Sequence, residues 1–86
     1  MDINFTPNSW EDIEYWIEND PEIITRIKDL IKSIRQDPFK GLGKPEPLKY
    51  EIPPCWSRRI NKKDRLVYRI HKRDIHIISI LGHYND

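Results

Sequence analysis

Glu46, Arg65 and His83 are of side-chain types that could do acid-base chemistry on a phosphate ester. Glu46 lies between Pro45 and Pro47, and the two rings restrict the backbone that carries its carboxylate. Arg65 follows the charged stretch from Asn61 to Asp64 and opens an apolar run. A guanidinium there stays protonated and can bracket two phosphate oxygens. His83 stands near the carboxyl end, and an imidazole titrates close enough to neutrality to give up a proton. A base, a fixed cation and an acid are what cleavage of RNA through its 2′-hydroxyl needs when no metal takes part. The commoner fates of such residues are an exposed loop glutamate and a strand-end arginine in a weak surface ion pair.

Further residues could hold a polyanion. Tyr84 can stack on a base or close the core as a tail aromatic, and the bare sequence leaves both open. Lys49 and Arg59 have the charge for phosphate contacts, and Arg58, Lys62 and Lys63 for sequence-independent ones. Arg59 poses a question of register. If Asn61 to Asp64 form a four-residue loop, Arg59 points away from Arg65, whereas a bulge or a five-residue loop returns it to the same face. His71 and His76 read as surface or strand-edge residues without a partner role.

The elements that must position these groups follow from hydrophobic pattern. Ile3 and Phe5 alternate as a short strand ending at Thr6-Pro7. Trp10, Ile13, Trp16 and Ile17 then recur at helical spacing as far as Asn19, which makes Trp10 and Trp16 core candidates and leaves Trp56 as an exposed or interface ring. Asp20 and Pro21 suit the start of a second helix, whose stripe from Ile24 to Ile34 runs on to Asp37-Pro38. Residues 38 to 47 are rich in proline and glycine and predict a loop. Leu48 to Ile52, Cys55 to Ile60, Arg65 to Ile70 and Ile75 to Leu81 predict an antiparallel meander. The fold class is α+β, two N-terminal helices packed on one face of a twisted, mainly antiparallel sheet, in a single domain over residues 1–86.

With 86 residues, 37% of them hydrophobic and 34% charged, the chain can build one modest core beneath a densely ionised surface. Its formal charge of +1 hides a division: net −5 over residues 1 to 39, +8 over 40 to 73 and −2 over the remainder. A basic second half suits a polyanion, although a solvated charged face gives the same pattern. Apolar runs such as Ile77 to Leu81 are too short to span a bilayer, and acids stand where a secretion signal would carry bases. The single cysteine, Cys55, excludes an internal disulfide and fits a reducing compartment, so a cytoplasmic location is expected. Neither a glycine-rich phosphate loop nor a histidine pair at metal-ligand spacing along the chain occurs, and no metal or other cofactor is expected.

The strings Lys44-Pro45-Glu46-Pro47-Leu48-Lys49, Trp56-Ser57-Arg58-Arg59-Ile60, Arg65-Leu66-Val67-Tyr68 and His83-Tyr84, in this order, resemble the YoeB subfamily of the RelE/ParE toxin superfamily. The resemblance runs from the Ser9-Trp10 helix to Tyr84. It implies the RelE/ParE-like microbial RNase fold and a toxin silenced by a cognate YefM-like antitoxin. It further implies an often dimeric chain that enters the ribosomal A site and cuts messenger RNA there, without a metal, leaving 2′,3′-cyclic phosphate and 5′-hydroxyl ends. On the same ground Glu46 is the general base, Arg65 the transition-state cation and His83 the general acid, while Tyr84, Lys49 and Arg59 hold the RNA. Two other readings use the same features: a non-enzymatic superfamily member that poisons a target such as DNA gyrase, and a module that only binds nucleic acid through the +8 segment.

Overall fold

In the computed structural model, which describes residues 1–49 and 54–82, the chain runs as strand β1 (Ile3–Phe5), helix α1 (Pro7–Asn19), helix α2 (Ile23–Gln36), and strands β2 (Glu46–Pro47), β3 (Trp56–Arg59), β4 (Arg65–His71) and β5 (Asp74–Ser79). The five strands form one sheet in the order β1-β5-β4-β3-β2. β1 pairs with β5 in parallel and every other pairing is antiparallel, which gives the expected α+β, mainly antiparallel arrangement. Among the described residues, no helix is long and apolar enough to cross a membrane.

Helix α1 starts where Thr6 accepts a hydrogen bond from the amide of Ser9 and Pro7 takes the first turn, a position where a missing N–H costs nothing. Its buried side differs from the expected stripe. Ser9 and Trp16 are buried, whereas Trp10 and Ile17 are each 54% exposed, so Trp10 is not a core residue. The helix is rotated because its inward polar groups find partners. Asp12 accepts the amide of Ile80 at 2.9 Å, and the Trp16 indole donates to the Ile80 carbonyl at 2.7 Å. Trp10 lies instead edge-on to Phe5 at the sheet margin.

Asp20 closes the end of α1, its amide donating to the Trp16 carbonyl, and does not cap α2 with its side chain. α2 buries Ile27, Leu30 and Ile34 against Leu66, Tyr68, Ile75 and Ile77 of the sheet. Each fully buried aliphatic of this kind contributes about 1.5–3 kcal/mol. The expected loop over 38–47 ends in a short edge strand, because Glu46 and Pro47 pair with Ser57 and Trp56. Pro47 is tolerated since an edge strand has a free hydrogen-bonding side. Leu48 and Lys49, read as the opening of a strand, lie just past β2, and residues 50–52 of that expected strand fall outside the described residues.

Candidate active site

Alternation along the strands sorts the sheet into two faces. Leu66 and Tyr68 point to the helices, so Arg65, Val67 and Arg69 point the other way. Register carries the sorting across the strand pairs. Arg59 is directly opposite Arg65, and Ser57, the residue opposite Glu46, is also opposite Val67. Glu46, Arg59 and Arg65 therefore share the face away from the helices, Glu46 one row along from the two arginines. The loop from Ile60 to Asp64 has five residues, which settles the register question in favour of Arg59 facing with Arg65.

Two arginines directly opposite on neighbouring strands repel each other and weaken the pairing. No carboxylate forms an ion pair with either among the described residues. Among the described residues the Arg65 side chain makes only long contacts, 3.4 Å, from Nη1 to the carbonyls of Asn61 and Asp64. Arg59 is exposed and Arg65 half-buried, so among the described residues neither guanidinium group is closed off. Glu46 is exposed on the edge strand, and Lys49 is exposed just beyond it. Lys62 and Lys63 lie exposed in the Ile60–Asp64 loop. A local rule broken without compensation among the described residues makes this face the candidate site.

Arg58 is the correction. Its neighbour faces the anion side, but Arg58 points toward the helices, is 0% exposed and cannot touch RNA. It donates to Tyr68 Oη at 3.1 Å, Ser33 Oγ at 2.7 Å and the carbonyls of Asp37, Lys40 and Leu42. Tyr68, whose hydroxyl pKa is pushed up by burial against the opposing pull of Arg58, donates in turn to the Pro38 carbonyl. These bonds fix the chain from Asp37 to Leu42 just before Glu46. Gly43 completes the approach with a φ of +85°, a conformation few side chains adopt, and its carbonyl receives the Arg59 amide. Trp56 is half-buried on the helix side, stacked at a tilt against Phe39 with ring centroids 5.0 Å apart.

His83 and Tyr84 lie outside the described residues, and the chain before them is defined as far as Gly82. Ile80 is held to α1 through both its amide and its carbonyl, as described above. At Gly82 the amide donates to the Asp64 carboxylate at 3.0 Å and the carbonyl accepts the Arg65 amide at 2.9 Å. Asp64 is 3% exposed and its other oxygen is bonded to Asn61. The segment entering His83 is thus tied to the residue pair Asp64-Arg65. Asp64 escaped the sequence reading because an aspartate in a charged turn looks solvated, and only the tertiary contact reveals its use.

Two helices over one side of a five-stranded mixed sheet, with Arg59 and Arg65 opposed on the other, define an α+β protein with a basic helix-free face. The sequence model of a family described as the YoeB-like toxin of bacterial type II toxin-antitoxin systems matches residues 5–84. Toxin YoeB of Synechocystis sp. is 52% identical over 84 residues, 98% of each chain, and Toxin YoeB of Streptomyces coelicolor is 46% identical over 98% of this chain and 100% of its own. Among solved structures, a YoeB/ParE toxin from Agrobacterium tumefaciens superposes with a TM-score of 0.92 at 41% identity, covering 98% of this chain and all of the other. A YoeB dimer from Staphylococcus aureus has a TM-score of 0.90 and a heterotetrameric YoeB-YefM toxin-antitoxin complex from that organism 0.85, each 40% identical over 98% of both chains. This chain belongs to the YoeB-like family of toxins of bacterial type II toxin-antitoxin systems.

Proposed function

We propose that the chain is an endoribonuclease that cuts messenger RNA in the ribosomal A site, acting in the cytoplasm as a single 86-residue domain and stopping translation. The supporting observation is that Glu46 shares the helix-free face with the mutually opposed Arg59 and Arg65. Glu46 takes the proton of the ribose 2′-hydroxyl and the 2′-oxygen attacks phosphorus. The bond from phosphorus to the 5′-oxygen breaks, and His83 protonates the departing oxygen. Arg65 balances the charge that grows on the phosphoryl oxygens, where removing one such donor typically costs a factor of about 10²–10³. Arg59 and Lys49 hold flanking phosphates and Tyr84 stacks on a base. The products are a 2′,3′-cyclic phosphate and a 5′-hydroxyl, and side chains supply every proton transfer.

A YefM-like antitoxin would silence the chain, and pairing into a homodimer fits the same picture; both follow the Staphylococcus aureus relatives. Induced expression of Glu46→Gln and Arg65→Ala variants tests the proposal. Growth should continue in both while the parent chain arrests it. Arrest by both variants at the parent's level would instead point to a poison that binds a target such as DNA gyrase without cutting RNA.

A further inference from the structure

Beyond the rows that carry Glu46 and Arg65, the same face continues to the end of the β4–β5 hairpin. Arg69 is four residues along β4 from Arg65, about 13 Å at strand rise, and alternation keeps it on the helix-free face. His76 is directly opposite Arg69. His71 completes the group, its ring 6.0 Å from that of His76. The Nε of Arg69 is buried without a hydrogen-bond partner among the described residues. Buried donors are almost always paired, so this Nε leaves the half-buried Arg69 guanidinium short of an acceptor among the described residues.

Charge decides what kind of ligand. Lys72 and Arg73 form the adjoining turn. The acid there, Asp74, faces His71 in register and accepts the amide of Asp2 at 3.0 Å. A guanidinium beside two imidazoles repels a metal cation and attracts an anion. We propose that Arg69 and His76, flanked by His71, form a second phosphate seat that grips the phosphodiester backbone of single-stranded RNA beyond the cutting point. The proposal rests on the reading of this chain as an RNA-cutting toxin. The Glu46–Ser57–Val67 row lies between Arg59 and Arg65 on one side and Arg69 and His76 on the other, so a strand crossing the face would be held on both flanks.

The probe is a short fluorescent 2′-O-methyl RNA, which lacks the attacking hydroxyl and so reports binding whether or not the chain cuts RNA. Its affinity for the full chain is measured by anisotropy across a salt series. Arg69→Gln should weaken binding about tenfold. It should also flatten the slope of log K against log salt by about 0.7, the signature of one lost single-strand phosphate contact. Arg69→Lys should keep the slope, and Lys28→Gln on the exposed side of α2 should change neither quantity. An unchanged slope in Arg69→Gln overturns the seat, with or without an affinity loss. So does a variant that weakens the purified toxin-antitoxin complex while binding RNA normally, which would assign Arg69 to the antitoxin. A chain that binds the probe as predicted yet never cuts would retain the seat and lose the nuclease.

Discussion

Replacing Arg58 by alanine and Arg59 by alanine removes the same charge from adjacent positions, yet the two changes should have opposite consequences. Arg58 is fully buried and donates to five acceptors, including three carbonyls of the segment from Asp37 to Leu42. A net hydrogen bond contributes about 1 kcal/mol, and charged ones more, while water can re-enter to reach some of the freed carbonyls. A loss of about 4 kcal/mol follows, in the range seen when a buried charged network is broken. At roughly 4–8 °C per kcal/mol for a chain of this size, the melting temperature should fall by about 20 °C. Arg59 is exposed and its backbone bonds to Gly43 and Arg26 survive the substitution, so Arg59→Ala should shift stability by no more than about 0.5 kcal/mol. Its effect should fall on RNA, with cleavage reduced by about tenfold or more. Urea denaturation in a Glu46→Gln background, which spares the expression host, measures the first quantity for both proteins. Equal stability losses, or a loss below about 1 kcal/mol for Arg58→Ala, would refute the face assignment.

Three further outcomes are expected. Asp64→Ala removes the acceptor that holds the Gly82 amide, and single-turnover cleavage should slow about tenfold; full-rate cleavage would separate Asp64 from delivery of His83. The Asp12 carboxyl is pushed up from the ordinary 3.8 by burial, against the Ile80 amide bond, with Glu11 adding to the rise. The folded chain therefore holds this proton more tightly than the unfolded one. The group's stabilising contribution is present below 3.8 and lost as pH climbs through the folded value. Asp12→Asn should gain on the parent over that climb, and a stability gap that does not move with pH would contradict the assignment. Lys72 and Arg73 both occupy left-handed backbone, with φ of 51° and 69°, so Lys72→Asn with Arg73→Gly should raise the urea midpoint, by about 1 kcal/mol in stability; a lowered midpoint would show that the turn is not strained.

Much of the fold was legible because its elements obey local rules. The stripe of α2 from Ile24 to Ile34 buries Ile27, Leu30 and Ile34 as its period demands, and the segments of β3, β4 and β5 pair as the expected antiparallel strands. α1 was misread where polar residues turn inward. Half-buried Asp12 and buried Trp16 have partners on Ile80, 64 or more residues away, and no local pattern announces such a bond. Glu46 was singled out through the family resemblance, since two flanking prolines suit an exposed loop glutamate as well, and its strand pairing with Ser57 was not legible, since a two-residue edge strand has no period to detect. Arg58 and Arg59 are indistinguishable by type, and a single residue in the length of the Ile60–Asp64 loop decides which one faces the helices. The contact of Asp64 with Gly82 and the place of Arg69 opposite His76 depend on what lies across the sheet or at its end, so a charge in a turn or a strand says little by itself.

Cleavage itself is the most direct test. Ribosomes programmed with a defined codon in the A site are incubated with the purified chain in the presence of EDTA, and the messenger ends are mapped. A single cut bearing a 2′,3′-cyclic phosphate and a 5′-hydroxyl, lost in Glu46→Gln and in His83→Gln while ribosome binding persists, is the predicted result. An intact messenger on ribosomes that hold the parent chain, or equal cutting by both variants, would contradict it.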